Sequence, residues 1–358
     1  RISERHYQSV NKNTNTNDDT MTVTTDLPTT FQEWTMSRGA ESITDLSAVK
    51  DVLTLNTDKP LPKLEVGQVL IKVVVCTIND EERYHLMDDY INTKDIPMPR
   101  PIGFEGAGIV VDINLPWYTK SMVPSIGTRV AFYASGGNAL TEYMVVDPWT
   151  LIPIPDSVKF KIAAAAVTNP FTVKLMADKV HKLGHTTVLN TVPAGALGRV
   201  FTKYCSKTLG MTVIGTVRRD SQKELVLADG AKYCLNMKDD DFEEQLAKVL
   251  TETNCHFAYD GLGGDMPNKL LKALPSNSTV SVYSHIAGYD MHINILNWFG
   301  KTIETFNAAE EANNLWIWQL LGLISQLQQW MTMPEMATTI RKTYPYSQLP
   351  EAIVDSST

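Results

Sequence analysis

Val188-Leu189-Asn190-Thr191-Val192-Pro193-Ala194-Gly195-Ala196-Leu197-Gly198-Arg199-Val200 is the stretch that decides the reading of this chain. An apolar strand (Thr186 to Leu189) runs into a turn of small residues, and a helix from about 195 to 209 starts there. Small side chains let backbone N–H groups approach a pyrophosphate, and the helix N-terminus adds its partial positive charge. The spacing is a G-x-G-x-x-G in which Gly195 and Gly198 stand and Pro193 takes the first glycine position. Ala194, Ala196 and Leu197 complete the cradle. Alone the motif is weak; its place between a strand and a helix is what the mechanism requires.

Outward from this turn, a second strand (Met211 to Val217) ends in Arg218-Arg219-Asp220. Arg218 lies 20 residues beyond Gly198, near where an NAD site keeps an acid for the ribose 2′-hydroxyl. Two arginines there suit a 2′-phosphate, so the expected cofactor is NADPH. The alternative is that Arg218 and Arg219 are solvated surface charges, with Asp220 left to take a ribose hydroxyl. Lys203, one turn beyond the fingerprint, either reaches the phosphate or lies on a solvated helix face. A helix (about 221 to 228), a strand (Tyr233 to Leu235), a helix (about 241 to 253) and a strand (His256 to Asp260) follow. This alternation predicts an α/β fold with a parallel sheet wound on both faces, of the Rossmann type.

Residues 49 to 150 read differently. Val66 to Val75, Gly108 to Asp112 and Gly127 to Phe132 are rich in β-branched residues and bounded by turn residues, as short strands are. Residues 1–30 are polar and are expected to form an extended or flexible arm. The division expected is therefore a β-rich domain over 31–155 and 306–358, and a dinucleotide-binding domain over 156–305. Within the tail, Leu315 to Ile324 is apolar on more than one face; it suits packing inside its own domain, a dimer contact or docking to a larger assembly.

The 358 residues are 43% hydrophobic and 20% charged, enough for about two domains with their own cores. The net charge of −8 and the lack of a basic stripe argue against a nucleic-acid grip. No window of 18 uninterrupted apolar residues suggests a membrane span. Cys76, Cys205, Cys234 and Cys255 form no Cys-x-x-Cys pair, a poor framework for disulfides or zinc. The sequence opens on Arg1; a removed leader would suit a mitochondrial protein, the cytoplasm being the other expectation.

Several ordered motifs carry a family resemblance. Thr77-Ile78-Asn79-Asp80, Gly103-Phe104-Glu105-Gly106-Ala107-Gly108, Thr141-Glu142-Tyr143, Asn169-Pro170-Phe171-Thr172 and Asp260-Gly261-Leu262-Gly263-Gly264 occur in that order between Lys63 and Phe306. Together they resemble the zinc-independent branch of the medium-chain dehydrogenase/reductase superfamily, the quinone oxidoreductase and 2-enoyl thioester reductase group. The resemblance implies a GroES-like β-rich substrate domain beside the Rossmann domain. Zinc-dependent members bind metal with Cys and His at positions held here by Asn79 and Phe104, so no metal is expected.

The same resemblance implies site residues. Tyr90, eleven residues after Asn79, is the expected catalytic phenol, able to hydrogen-bond a developing enolate or donate a proton. Tyr84 is a nearby decoy. Asn79 is expected to hydrogen-bond the nicotinamide ribose or substrate; the bland alternative is a loop Asn capping its own turn. Thr172 and the backbone around Tyr283-Ser284 are expected to line the nicotinamide. Glu105 reads as structural, and His85, His256, His285 and His292 have no partner constellation. Three features depart from the family pattern: the acidic Asp80-Glu81-Glu82, Val192-Pro193 at the start of the fingerprint, and Thr305 and Asn307 flanking Phe306.

Two readings follow. In the first, the chain is an NADPH-dependent reductase of an enoyl thioester, enone or quinone, holding the reactants face to face in a cleft between domains, with a homodimer as the expected assembly. In the second, it is a weakly active or inactive accessory subunit of a larger complex, keeping nucleotide as a folding element.

Overall fold

A computed structural model describes residues 7–11, 27–88, 95–288 and 290–357. The chain divides into two units. The first comprises residues 1–168, 324–333 and 337–358; the second comprises 169–323 and 334–336.

The first unit is antiparallel and β-rich. Its strands are β1 (Tyr7–Asn11), β2 (Thr30–Met36), β3 (Leu53–Pro60), β4 (Gln68–Ile78), β5 (Arg100–Pro101), β6 (Glu105–Asn114), β7 (Arg129–Tyr133), β8 (Tyr143–Val146) and β9 (Ile152–Pro153). Helices α1 (Leu46–Val52), α2 (Asp80–Leu86) and α3 (Phe160–Ala163) sit among them. The long β4 is its spine, antiparallel to β6, β8 and β1. Val69, Ile71 and Val73 of β4 point into one core with Val110, Val130 and Phe132, as period-2 alternation requires. Gly106 and Gly108 of β6 lie against β4; a Cβ at Gly108 would stand 2.4 Å from the Lys72 carbonyl oxygen. Within the polar N-terminal stretch, residues 7–11 form a strand rather than a flexible arm. Gln8–Asn11 pair with Val75–Ile78, a seat made by backbone hydrogen bonds, which need no apolar side chain. The rest of the expected 1–30 arm, apart from 27–30, lies outside the described residues.

The second unit alternates helix and strand: α4 (Thr168–Lys182), β10 (Thr187–Asn190), α5 (Ala196–Lys203), β11 (Thr212–Val217), α6 (Asp220–Asp229), β12 (Tyr233–Asn236), α7 (Phe242–Glu252), β13 (Phe257–Asp260), α8 (Met266–Ala273), β14 (Thr279–Val282), α9 (Ile295–Trp298), β15 (Thr302–Thr305), α10 (Ala308–Asn313) and the start of α11 (Ile317–Trp330). The six strands form one parallel sheet in the order β12-β11-β10-β13-β14-β15. This is the Rossmann-type α/β sheet expected from the sequence. The order reverses between β10 and β13, the switch point where open α/β sheets bind ligands. Leu189, Ile214, Ala258 and Val280 of the sheet pack with Phe242, Leu246, Leu270 and Leu271 of α7 and α8. α5 continues into a π-helical turn over Tyr204–Thr208, where Ser206 Oγ donates to the Thr202 carbonyl.

The division by composition is corrected at two places. Residues 156–168 group with the β-rich unit, because α3 lies on β4, β6 and β7. Residues 306–323 group with the parallel sheet: the Phe306 N–H bonds the Val282 carbonyl, and Glu311 pairs with Lys179 of α4. Trp316 and Trp318 are 72% and 71% exposed, so they are not packed within their own unit. The chain then closes the first unit with β16 (Ile340–Pro345), parallel to β1, and α12 (Leu349–Ser357). Tyr346 anchors this return: its hydroxyl donates to the Leu140 carbonyl at 2.7 Å, and its own carbonyl accepts from Trp34 Nε1 at 3.1 Å.

Candidate functional site

The β10–α5 turn is built by its small residues. Gly195 is the N-cap of α5 and has no side chain to cap the first-turn N–H groups. Gly198 admits no side chain: a Cβ there would stand 2.0 Å from the Val192 carbonyl oxygen. Helix and turn are therefore in backbone contact. Pro193, at the expected first glycine position, is accommodated across the sheet. A Cβ at Gly215 of β11 would stand 2.9 Å from the Pro193 ring, so the missing side chain at 215 makes room for the proline. Ala194 is buried, while Ala196 and Leu197 are half-buried at the helix entrance.

Hydrogen bonds tie this turn to the neighbouring strand ends. Asn190 Oδ1 accepts the Val192 N–H at 3.0 Å and the Tyr283 hydroxyl at 3.1 Å. Thr191 Oγ1 donates to Asp260 Oδ1 at 2.7 Å and accepts from the Gly261 N–H at 3.0 Å. Asp260 also accepts the N–H groups of Leu262 and Gly263. Burial pushes its carboxyl up to about 6, against the pull of these three donors. The sequence reading gave Asp260 only a place in a motif and missed Thr191. Their bond spans 69 positions and has no local signature.

At the end of β11, Arg218 and Arg219 are exposed, as is Asp220. Gln222 Oε1 accepts the Arg218 N–H at 3.1 Å, holding the backbone bend. Asp220 Oδ1 already accepts from Asn236 Nδ2 at 3.0 Å. Lys203 is half-buried rather than on a solvated face; burial lowers its pKa, with Asp229 opposing and Arg199 adding to the fall. Arg199 itself is held by both oxygens of Asp229. Thr172 is half-buried on α4, and Tyr283 and Ser284 follow β14 directly.

In the β-rich unit, Asn79 is the N-cap of α2 in a reciprocal capping box. Its Oδ1 accepts the Glu81 N–H, and Glu82 Oε2 accepts the Asn79 N–H at 2.7 Å. The capping alternative is thus realised for Asn79 Oδ1. Glu82 is buried, and its other oxygen accepts the Phe104 N–H at 3.0 Å; burial holds its carboxyl well above the usual range. Phe104 packs edge-on against His85, with ring centroids 5.3 Å apart, and stacks on Tyr133. Burial lowers the pKa of the fully buried His85 to about 4, aided by Arg100 and opposed by the Pro101 backbone and Asp88. Glu105 accepts the Thr77 hydroxyl and the Thr168 N–H. Tyr90 lies outside the described residues. Among the described residues, no three His, Cys, Asp or Glu side chains are grouped to hold a metal ion. All four cysteines are buried and none is in a disulfide. No helix among the described residues is long and apolar enough to cross a membrane.

Residues 65–156 match the alcohol dehydrogenase GroES-like domain family. The chain is 24% identical over 199 residues to a quinone oxidoreductase of Pseudomonas aeruginosa, covering 55% of this chain and 60% of that protein. It is 27% identical over 200 residues to the quinone oxidoreductase of Mus musculus, covering 55% of this chain and 57% of that protein. A mycobacterial protein solved with NADPH superposes with a TM-score of 0.71 at 20% identity, covering 91% of this chain and 96% of that one. Residues 65–156 thus carry a GroES-like domain, and the chain as a whole shares the two-sheet fold of NADPH:quinone reductases. It is a distant homologue of the quinone oxidoreductases, and its fold is shared with a mitochondrial 2-enoyl thioester reductase. The matches span less than two thirds of the length of these two curated relatives.

Proposed function

We propose that this chain is an NADPH-dependent, zinc-independent reductase acting on an activated C=C bond or a quinone. The observation that supports this best is the pairing of an uncapped, small-residue helix entrance at Gly195–Gly198 with two exposed arginines at the end of the next strand. The residues suit that cofactor: Gly198 brings α5 against the turn and Gly195 adds no side chain at the helix entrance, so the first-turn N–H groups would be the donors to a pyrophosphate. Arg218 and Arg219 supply guanidinium donors for a 2′-phosphate, where an NAD site would keep a carboxylate. When bound, NADPH supplies the hydride for the reduction. Asp260 and Thr191 hold the β10 and β13 ends together beneath the cradle. Tyr90 is the proposed donor to the acceptor's carbonyl oxygen, and Asn79 the proposed partner of the nicotinamide ribose. Thr172 and the backbone at Tyr283-Ser284 are proposed to line the nicotinamide.

A second reading, nucleotide binding with little turnover in an accessory subunit, draws support from Asn79, whose Oδ1 is engaged in capping α2. One experiment separates the two. Purified chain is mixed with NADPH and a crotonyl thioester, an enone or a quinone, and NADPH absorbance is followed. Turnover with one acceptor is expected; NADPH binding without turnover on any of the three would favour the accessory reading.

A further inference from the structure

We propose that Tyr283 and Asn190 form a latch over the nicotinamide half of the cradle, which NADPH must open to bind. The inference rests on the cofactor reading above and adds a residue-level control to it. Strand order fixes the direction. The fingerprint follows β10, and the arginines that suit the adenosine end follow β11 on one side. A dinucleotide laid across the β10 end therefore carries its other half the opposite way, over the ends of β13 and β14. Tyr283 stands there, immediately after β14.

Its ring has a built seat. A Cβ at Gly261 would stand 2.7 Å from both Cζ and the hydroxyl oxygen of Tyr283, so the bare backbone at 261 is what admits the phenol. The Tyr283 hydroxyl donates to Asn190 Oδ1 at 3.1 Å, and the buried Tyr259 ring backs it edge-on at 6.2 Å between centroids. The half-buried Tyr283 thus covers an Asn190 with no exposed surface. Asn190 Nδ2 is buried and has no hydrogen-bond partner among the described residues. An unmatched buried amide is costly, and an acceptor oxygen brought in when the ring swings away would satisfy it. The closed latch thus exchanges one tyrosine hydrogen bond for a ligand contact.

The test compares NADPH with adenosine 2′,5′-bisphosphate, which carries the adenosine and 2′-phosphate but no nicotinamide. Dissociation constants are measured for the wild type, Tyr283→Phe and Tyr283→Ala. Tyr283→Phe removes only the hydroxyl and should tighten NADPH about threefold; Tyr283→Ala removes the ring and should tighten it about fivefold to tenfold. Neither should change bisphosphate affinity more than about twofold. NADPH affinity that is unchanged or weaker in both variants, with bisphosphate binding retained, overturns the latch. Failure of the wild type to bind the bisphosphate removes the cofactor reading itself, and the latch with it. Tyr283→Phe keeps the packing ring, so the result stands even if the alanine variant does not fold.

Discussion

The Thr191 hydroxyl and the Asp260 carboxylate meet at 2.7 Å, joining the ends of β10 and β13 at the point where strand order reverses. The bond sets the floor of the cradle, because Thr191 also takes the Gly261 N–H. Asp260 titrates at about 6 in the folded chain, above its ordinary value of 3.8. The folded form therefore holds this proton more tightly than the unfolded chain does. The stability it contributes is complete below the unfolded value and fades as pH rises to about 6, by roughly 3 kcal/mol in all. Thr191→Val removes a donor to the carboxylate and should raise that pKa further. Urea midpoints should then fall more between pH 5 and pH 7 than in the wild type; equal falls would mean the hydroxyl does not steady the charge.

His85 works in the opposite sense. Its folded pKa of about 4 lies below the ordinary 6.5, so its stability is present above 6.5 and is lost as pH falls toward 4. Glu82, on the same helix, has a raised pKa, and its contribution fades as pH rises. Comparing wild type with His85→Phe isolates the histidine. Between pH 7.5 and pH 5 the wild type should lose about 2 kcal/mol more than the variant. Parallel losses would show that His85 is not held neutral.

Gly198→Ala tests the backbone contact. With the Cβ at 2.0 Å from the Val192 carbonyl oxygen, either α5 or the turn must move. A loss of about 3 kcal/mol in stability is expected, together with loss of NADPH binding. Retained binding in a folded variant would mean that close approach is not what forms the cradle.

The arginine pair is tested by Arg218→Ala with Arg219→Ala. Losing charge-assisted bonds to a 2′-phosphate should weaken NADPH about 10- to 100-fold and leave NADH within about threefold. Equal losses for both nucleotides would assign the arginines to general electrostatics.

Much of the parallel-sheet unit was legible because its signals are local. Strand and helix periods, the glycines at 195 and 198 and the arginines at 218 and 219 lie within 32 consecutive positions. The cross-sheet fits were not legible. Pro193 reads as a defect in the fingerprint until Gly215 is seen to leave room for it. Tyr283 reads as backbone lining until Gly261 and Asn190 are seen around its ring. Asn79 offered two local readings, and the capping box with Glu82 realises the structural one without excluding a role for the rest of its amide.

The central claim is that the Gly195–Gly198 turn and the β11 arginines together hold NADPH. The most direct measurement is a fluorescence titration of the purified chain with NADPH and, separately, NADH. The account predicts saturable binding of NADPH at least about tenfold tighter than that of NADH. Absence of NADPH binding, or equal affinity for the two, would contradict it.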